Sequence, residues 1–204
     1  MLLDLFASEN TCIPLDMPGG DVKYYPNFFT NKTASILFES LKSSIKWQQD
    51  RIKVYGKEHL QPRLTALYGD NNLTYSYSNI TMTPHLFNDD LLHIKKAVEK
   101  QSNAVFTTCL LNLYRNGDDS NGWHADNEKE LGPEPIIASV SLGEDRWFHF
   151  KHKTDKNLRK KIVLQHGSLI LMKGRTQENW LHQIPKSKKI NKPRINLTFR
   201  IIAP

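Results

Sequence analysis

From Asn103 onward the sequence consists of short, strand-like apolar runs that are separated by glycine-containing turns and not by helical segments. The predicted strands span residues 105–114, 136–142, 146–152, 161–164, 168–172 and 194–202. Runs of this length with turn residues between them are typical of β-strands. Because the runs follow one another without intervening helices, the pattern predicts an antiparallel sandwich or barrel.

Two amphipathic helices are predicted before this region. Thr30 or Asn31 can cap a first helix that ends before residues 48–51, and Asn88 can cap a second helix that runs to about Lys100. We expect both helices to pack on the outside of the strands. Residues 1–25 contain prolines and glycines without a sustained period, and we expect them to form an extended arm that packs on the core.

The charge balance and the cysteine content exclude several classes of protein. Among 204 residues, 28 are Lys or Arg and 21 are Asp or Glu, so the formal net charge is +7. This excess favours a polyanionic partner, and it is concentrated in residues 151–161 and 186–194. Cys12 and Cys109 cannot build a disulfide framework or a cysteine-rich zinc site.

No apolar run approaches the roughly 18 residues that a membrane-spanning helix needs. Residues 1–7 are apolar, but they include Asp4 and lack the basic leader of a secretory signal. We therefore expect no membrane partner and a location in the cytoplasm or nucleus.

Polar side chains occupy one face of several predicted strands. On the last strand these residues are Arg194, Asn196, Thr198 and Arg200. Asn112 and Tyr114 share a face of an earlier strand, since side chains alternate between the two faces. Exposure to solvent explains one such face. Polar faces on several segments instead indicate a barrel interior that holds a charged ligand.

His124 and Asp126 have the spacing of metal ligands on a strand. With His182 they would supply two imidazoles and one carboxylate, the donor set of non-heme Fe(II) sites. Further candidates for the third ligand are His149, His152 and His166. Zinc accepts the same donors. Arg194 and Arg200 favour iron with a dicarboxylate cosubstrate, because a guanidinium can hold a carboxylate through two hydrogen bonds.

Seven segments carry motifs that are more specific together than any one of them alone. They are PRLTALYGD (62–70), LTYSYS (73–78), NLYRNGDDSNGWHADNEKELG (112–132), PIIASVSLG (135–143), HGSLILM (166–172), WLHQIPK (180–186) and PRINLTFR (193–200). In this order they resemble the AlkB-type Fe(II)- and 2-oxoglutarate-dependent dioxygenases, and most of all the eukaryotic-type DNA repair branch represented by the human homologues two and three. The resemblance covers about residues 50–202.

The resemblance implies a mainly β, α+β fold with a double-stranded β-helix, or jelly-roll, core. One dioxygenase domain would span residues 26–204, with a nucleotide-recognition lid at about 50–90 and the jelly roll at about 103–202. The N-terminal helices would pack outside this core.

The resemblance also implies the roles of the inward-facing residues. His124, Asp126 and His182 would ligate Fe(II), while His166 would be structural. Arg194 would bind the distal carboxylate of 2-oxoglutarate, with O2 as the second substrate and ascorbate as a reductant in vitro. The rest of the cosubstrate pocket would consist of Asn112, Tyr114, Asn196, Thr198 and Arg200.

An alkylated nucleic acid is the implied substrate, such as DNA with 1-methyladenine or 3-methylcytosine, and RNA stays open. The flipped base would be demethylated with release of formaldehyde, succinate and CO2. Tyr55 would be an aromatic wedge, and Arg63 and the basic runs would contact phosphates. The other implied substrate contacts are Gly56, Lys57, Tyr75, Ser76, Tyr77, Ser78, Asn127 and Glu128. Many relatives carry Asp at the position of Asn127.

Three functions are compatible with the sequence. The first is demethylation of nucleic acid, by a protein that we expect to be a monomer. The second is the same oxygenase core acting on a protein or a small molecule, which the basic runs disfavour. The third is a nucleic-acid-binding module without catalysis, which the intact ligand set disfavours.

Overall fold

Two large β-sheets, two separate hairpins and three helices make up the described part of the chain. The structure, a computed structural model, describes residues 11–54, 56–70, 75–77 and 80–202. The helices are α1 (Asn31–Ser44), α2 (Asp89–Ser102) and the short α3 (Thr176–Asn179), with a 3-10 turn at Lys129–Leu131. No helix in these residues is long and apolar enough to span a membrane.

The strands account for most of the regular structure. In chain order they are β1 (Ile13–Leu15), β2 (Asp21–Tyr25), β3 (Arg51–Val54), β4 (Lys57–Leu60), β5 (Leu64–Gly69), β6 (Tyr75–Tyr77), β7 (Ile80–Met82), β8 (His85–Leu86), β9 (Thr108–Tyr114), β10 (Asn121–His124), β11 (Ile137–Gly143), β12 (Arg146–His152), β13 (Arg159–Leu164), β14 (Ser168–Lys173), β15 (Trp180–Ile184) and β16 (Arg194–Arg200). The major sheet has the order β1-β2-β14-β11-β16-β9-β5-β8, and the minor sheet has the order β10-β15-β12-β13. The hairpins are β3-β4 and β6-β7.

Both predicted helices are confirmed, together with their caps. The Thr30 side chain accepts a hydrogen bond from the backbone N–H of Thr33, and the Asn88 side chain accepts one from Leu91. These bonds satisfy backbone donors that have no partner inside the helix. The second helix ends at Asn103, whose φ of 54° is the left-handed conformation that terminates many helices.

Apolar residues form two layers, one on each face of the major sheet. On β16, Ile195, Leu197 and Phe199 pack against the layer that contains α1 and α2. Between the two sheets, Phe150 and Trp180 of the minor sheet pack in a second cluster with residues of the major sheet. The antiparallel sandwich is therefore confirmed, and it is the jelly roll that the resemblance implied.

Strand pairing places two further segments in the major sheet. The expected N-terminal arm contains β2, which pairs with β14 and buries Val22 and Tyr24 in the cluster between the sheets. Residues 64–69 fall within the expected lid, but they form β5 and pair with β9. Residues 65–69 of β5 are buried, which agrees with the place of β5 between β9 and the short edge strand β8.

Candidate metal and dicarboxylate site

The predicted metal ligands come together at one end of the minor sheet. His124 at the end of β10 lies directly opposite His182 on β15, and Asp126 follows two residues after His124. The ligand atoms of these three residues lie within 4.8 Å of one another. His149, His152 and His166 do not belong to this group. His166 instead accepts a hydrogen bond from the backbone of Gly143.

Burial keeps both imidazoles neutral and ready to bind a metal. It lowers the pKa of His124, and it lowers the pKa of His182 to about 3, with the charge of Arg200 among the further contributions. Asp126 Oδ2 lies 3.7 Å from His182 Nε2. Because His182 is neutral near pH 7, this contact is not an ion pair.

The hydrogen bonds of His124 determine which of its nitrogens carries the proton. Nδ1 lies 2.7 Å from the carbonyl oxygen of Gly122, which can only accept, so Nδ1 is the donor. The lone pair therefore lies on Nε2, which accepts from the side-chain amide of Asn121 at 3.1 Å. A metal at Nε2 would take the place of Asn121, while the bond to Gly122 would keep the ring orientation.

Asp126 is held on two sides by buried groups. Arg200 Nη2 donates to its Oδ1 at 2.5 Å, and the Asp126 backbone N–H donates to Gln177 Oε1 at 2.9 Å. Burial alone would raise the pKa of the Asp126 carboxyl. The charge of Arg200, which also donates a hydrogen bond to this carboxylate, lowers the pKa to about 2. The carboxylate is therefore ionised at any pH at which the protein would be assayed.

Arg194 is a buried cation with free hydrogen-bonding capacity. Its side chain is 1% exposed, and Nη2 donates to Ser141 Oγ at 2.8 Å. Nε and Nη1 have no hydrogen-bond partner among the described residues. The guanidinium lies 5.3 Å from the ring centroid of Tyr114. Burial lowers its pKa to about 10, so it remains charged near neutral pH. A buried guanidinium of this kind suits a carboxylate ligand.

The cavity between the sheets connects the metal ligands to Arg194. It holds about 420 Å³ of empty space, part of which is open to solvent. All the predicted cosubstrate residues line it, namely Asn112, Tyr114, Arg194, Asn196, Thr198 and Arg200. Strand register brings them together, since Asn112 lies opposite Asn196 and Tyr114 opposite Arg194. The residues present therefore fit Fe(II) at one end and a dicarboxylate that reaches Arg194 at the other.

Arg63 is not in the position expected for a phosphate contact. It is 5% exposed, donates from Nε to Asn112 Oδ1 at 2.7 Å, and donates from Nη1 to the carbonyl oxygen of Ser120 at 3.1 Å. The expectation of a surface phosphate contact is therefore wrong for Arg63. Its place directly before β5 turns it towards the interior, where it orients Asn112 at the cavity wall.

The remaining predicted substrate residues are only partly described. Tyr55 and Ser78 lie outside the described residues, as do the side chains of Lys57, Tyr75, Ser76 and Tyr77. The backbone of Gly56 has a φ of +79° at the turn between β3 and β4, a conformation that glycine adopts without strain. Residues 75–77 form β6, which pairs with β7.

Asn127 and Glu128 follow Asp126 but face different surroundings. Asn127 is exposed, and it lines a shallow cleft with Gln177 and Lys153. Glu128 is half-buried, and its Oε2 is buried without a hydrogen-bond partner among the described residues. Burial raises the pKa of the Glu128 carboxyl. The Oε2 atom of Glu128 is therefore available as a hydrogen-bond acceptor close in sequence to the metal ligands.

Sequence reasoning missed four residues that support the site. Ser139 lines the cavity from β11, and its Oγ accepts from Asn196 at 2.6 Å. Ser141 on the same strand accepts from Arg194 at 2.8 Å. The alternation of small polar residues along β11 could have identified both serines. Asn121 and Gln177 act on His124 and Asp126 through side-chain contacts that carry no periodic signal.

A profile of the 2OG-Fe(II) oxygenase superfamily matches residues 21–200, and the chain belongs to this superfamily. The match covers every strand of both sheets except β1, together with the three ligands and Arg194. The family uses Fe(II) and 2-oxoglutarate, as the donor set and the buried guanidinium independently suggest.

The AlkB-type resemblance is confirmed by named relatives. The chain is 42% identical to alkB homolog 3 of Bos taurus over 188 residues and 40% identical to that of Homo sapiens over 189 residues, which is 88% of this chain. It spans 65% of the length of these two relatives. It is 36% identical to the DNA oxidative demethylase ALKBH2 of Mus musculus over 88% of this chain and 80% of that protein.

A solved structure supports the fold. The structure of OsALKBH1 superposes with a TM-score of 0.64 at 14% sequence identity, covering 94% of this chain and 100% of that chain. At this identity the likeness concerns the fold alone.

Proposed function

We propose that this chain catalyses the Fe(II)- and 2-oxoglutarate-dependent oxidative demethylation of N-alkylated bases in DNA. One observation carries the proposal. The His124, Asp126 and His182 donor set opens into the same cavity as Arg194, a buried cation with two nitrogens without partners. The names of the relatives, which include DNA oxidative demethylases, supply the substrate class.

The metal ligands and the two arginines of the cavity each have a role in the proposed reaction. The two neutral imidazoles and the Asp126 carboxylate would hold Fe(II), and Arg200 keeps that carboxylate ionised and oriented. Arg194 would bind the distal carboxylate of 2-oxoglutarate and so fix its orientation. When bound, Fe(II) with 2-oxoglutarate and O2 supplies the oxidation that hydroxylates an N-methyl group, after which formaldehyde, succinate and CO2 are released.

Glu128 is proposed as a contact to the flipped base. Its buried Oε2 could accept a hydrogen bond from an exocyclic amino group, such as that of 1-methyladenine or 3-methylcytosine. Asn127, by comparison, is exposed beside the cleft. Tyr75 and Tyr77 of the lid, at about residues 50–90, are proposed to contact the base, and Tyr55 is proposed to fill its place in the duplex.

The basic segments at 151–161 and 186–189 are proposed to bind phosphates without reading sequence. We further propose that the protein acts as a monomer in the cytoplasm or nucleus. Light scattering of the purified chain tests the first of these two statements, and microscopy of a tagged chain in its own cells tests the second.

The decisive experiment measures formaldehyde and succinate from oligonucleotides with one 1-methyladenine, in the presence of Fe(II), ascorbate and 2-oxoglutarate. DNA and RNA, single-stranded and duplex, are compared with unmethylated strands. We expect stoichiometric products from methylated DNA, no turnover with Asp126→Asn, and normal turnover with Asp118→Asn, a matched change at an exposed position. Succinate formation that does not depend on the methylated strand would disprove the proposed substrate class. If methylated RNA is the better substrate, the substrate is RNA and not DNA.

A further inference from the structure

The outward face of the minor sheet carries two exposed tryptophans on a background of positive charge. Trp123 on β10 is 37% exposed, and Trp147 on β12 is 45% exposed. Each has a lysine over its ring, with Lys151 Nζ at 4.5 Å from the Trp123 centroid and Lys161 Nζ at 5.3 Å from that of Trp147. Large exposed aromatic residues beside cations are typical of surfaces that bind nucleic acids.

Strand register places these groups on one surface. Trp147, His149 and Lys151 alternate along β12 and point away from the cluster between the sheets, which takes Phe148 and Phe150. The next strand pairs His149 with Lys161 and Lys151 with Arg159, so the cations of β13 extend the same surface. We call Trp123, Trp147, His149, Lys151, Arg159 and Lys161 the tryptophan face.

The charge of this face has a single sign. None of the four strands of the minor sheet contains an Asp or a Glu. The strands therefore offer no carboxylate that could pair with the cations of a protein partner. A polyanion with flat rings, in contrast, matches both the lysines and the indoles.

The tryptophan face lies on the reverse of the layer that carries the metal ligands. His124 and His182 face the cavity between the sheets, and Trp123 is the residue before His124. The outermost strand on this side is β10, and within the described residues no strand pairs with its outer edge. A nucleic acid strand with one base in the cavity could therefore pass around β10 and continue on the outward face within a few nucleotides.

We propose that the tryptophan face binds single-stranded nucleic acid, the part of the substrate strand that flanks the flipped base. The inference rests on the proposed function for the identity of that strand. Bases stack on Trp123 and Trp147, and Lys151 and Lys161 leave the rings to contact the adjacent phosphates. The face would thus add affinity for long strands without touching the reacting base.

The test compares single-stranded oligonucleotides of about 5 and about 20 nucleotides, each with one 1-methyladenine. Dissociation constants are measured by fluorescence anisotropy without Fe(II), and KM and kcat are measured with the full set of cosubstrates. The variants are Trp147→Ala, Trp147→Phe and Lys161→Ala. Matched controls are Ile36→Ala and Lys32→Ala, exposed residues of α1, which covers the opposite side of the major sheet.

Trp147→Ala should weaken binding of the long strand by roughly tenfold and leave turnover of the short strand unchanged, whereas Trp147→Phe should retain most of the affinity. The slope of the logarithm of the binding constant against the logarithm of the salt concentration reports the number of phosphates that the protein contacts. For the long strand, Lys161→Ala should lower this number by about one. Unchanged long-strand affinity in Trp147→Ala, or equal losses on both strands, would overturn the inference. If the parent chain demethylates both oligonucleotides with equal KM, the tryptophan face does not bind the flanking strand, while the proposed function stands. If neither oligonucleotide is demethylated, the proposed function itself is refuted.

Discussion

Replacing Arg194 with Met should separate cosubstrate binding from the stability of the fold. The guanidinium is buried, and two of its nitrogens lack a partner among the described residues. Loss of one partner from a buried, hydrogen-bonded charge pair costs about 2–5 kcal/mol of binding free energy. At about 1.4 kcal/mol per factor of ten, the dissociation constant of 2-oxoglutarate should rise by about 30-fold to 4,000-fold.

The same substitution should not destabilise the protein without cosubstrate. Burial lowers the pKa of Arg194 from its usual value to about 10, which corresponds to about 3 kcal/mol of unfavourable free energy for the charged form in the folded state. A methionine of similar length removes that penalty. The free energy of unfolding should therefore stay the same or rise by up to about 3 kcal/mol. Both states are protonated below pH 10, so this difference should not vary near neutral pH.

Arg200→Met is the informative contrast, because it removes the partner of a buried carboxylate. Arg200 Nη2 lies 2.5 Å from Asp126 Oδ1. Breaking such a pair leaves an uncompensated charge and costs about 3–5 kcal/mol. Urea unfolding of the metal-free variants gives the stabilities, and anaerobic titration of the Fe(II)-loaded variants gives the 2-oxoglutarate affinity. The reasoning fails if Arg194→Met unfolds as easily as Arg200→Met, or if Arg194→Met binds 2-oxoglutarate as tightly as the parent.

Three further predictions concern the surroundings of the site. Gln177→Leu leaves the buried backbone N–H of Asp126 without its acceptor and should weaken Fe(II) binding by about 10- to 100-fold, measured by metal titration; unchanged affinity would remove Gln177 from the support of the ligand. Gly117→Ala would place a Cβ 1.8 Å from the carbonyl oxygen of Ser187 and should cost at least about 1–3 kcal/mol in urea unfolding, and a neutral result would mean that the two loops separate freely. The Cys109 thiol is fully buried, and burial raises its pKa, so a thiol reagent should label only the other, exposed cysteine until the chain is unfolded; two fast thiols in the native protein would contradict this burial.

The period-two alternation of polar and apolar residues was sufficient to predict which side chains of β16 face the cavity. The alternation along β16 correctly predicted that Arg194, Asn196, Thr198 and Arg200 share one side, because side chains of a strand point alternately to its two faces. The helix caps Thr30 and Asn88 were equally local, since a cap is a contact over three residues. The segment from His124 to Asp126 supplied two of the three metal ligands for the same reason.

Local sequence patterns could not predict which distant segments pair with one another. Residues alone left four histidines open as the third ligand, and only the register of β10 with β15 brings His182 to His124. The resemblance had named His182, but the contact that explains the choice is tertiary. The places of β2 and β5 in the major sheet were missed, since an apolar strand does not specify its neighbours.

Local patterns in the sequence predicted the inward face of β16, the starts of both long helices and the donors that could bind iron. The tertiary structure alone decided that Arg63 is buried against Asn112, that Gln177 supports Asp126, and that the tryptophan face forms one surface. The physical reason is range. Periods and caps depend on bonds within a few residues, whereas burial and side-chain contact depend on which strands pair, and pairing is a property of the whole chain.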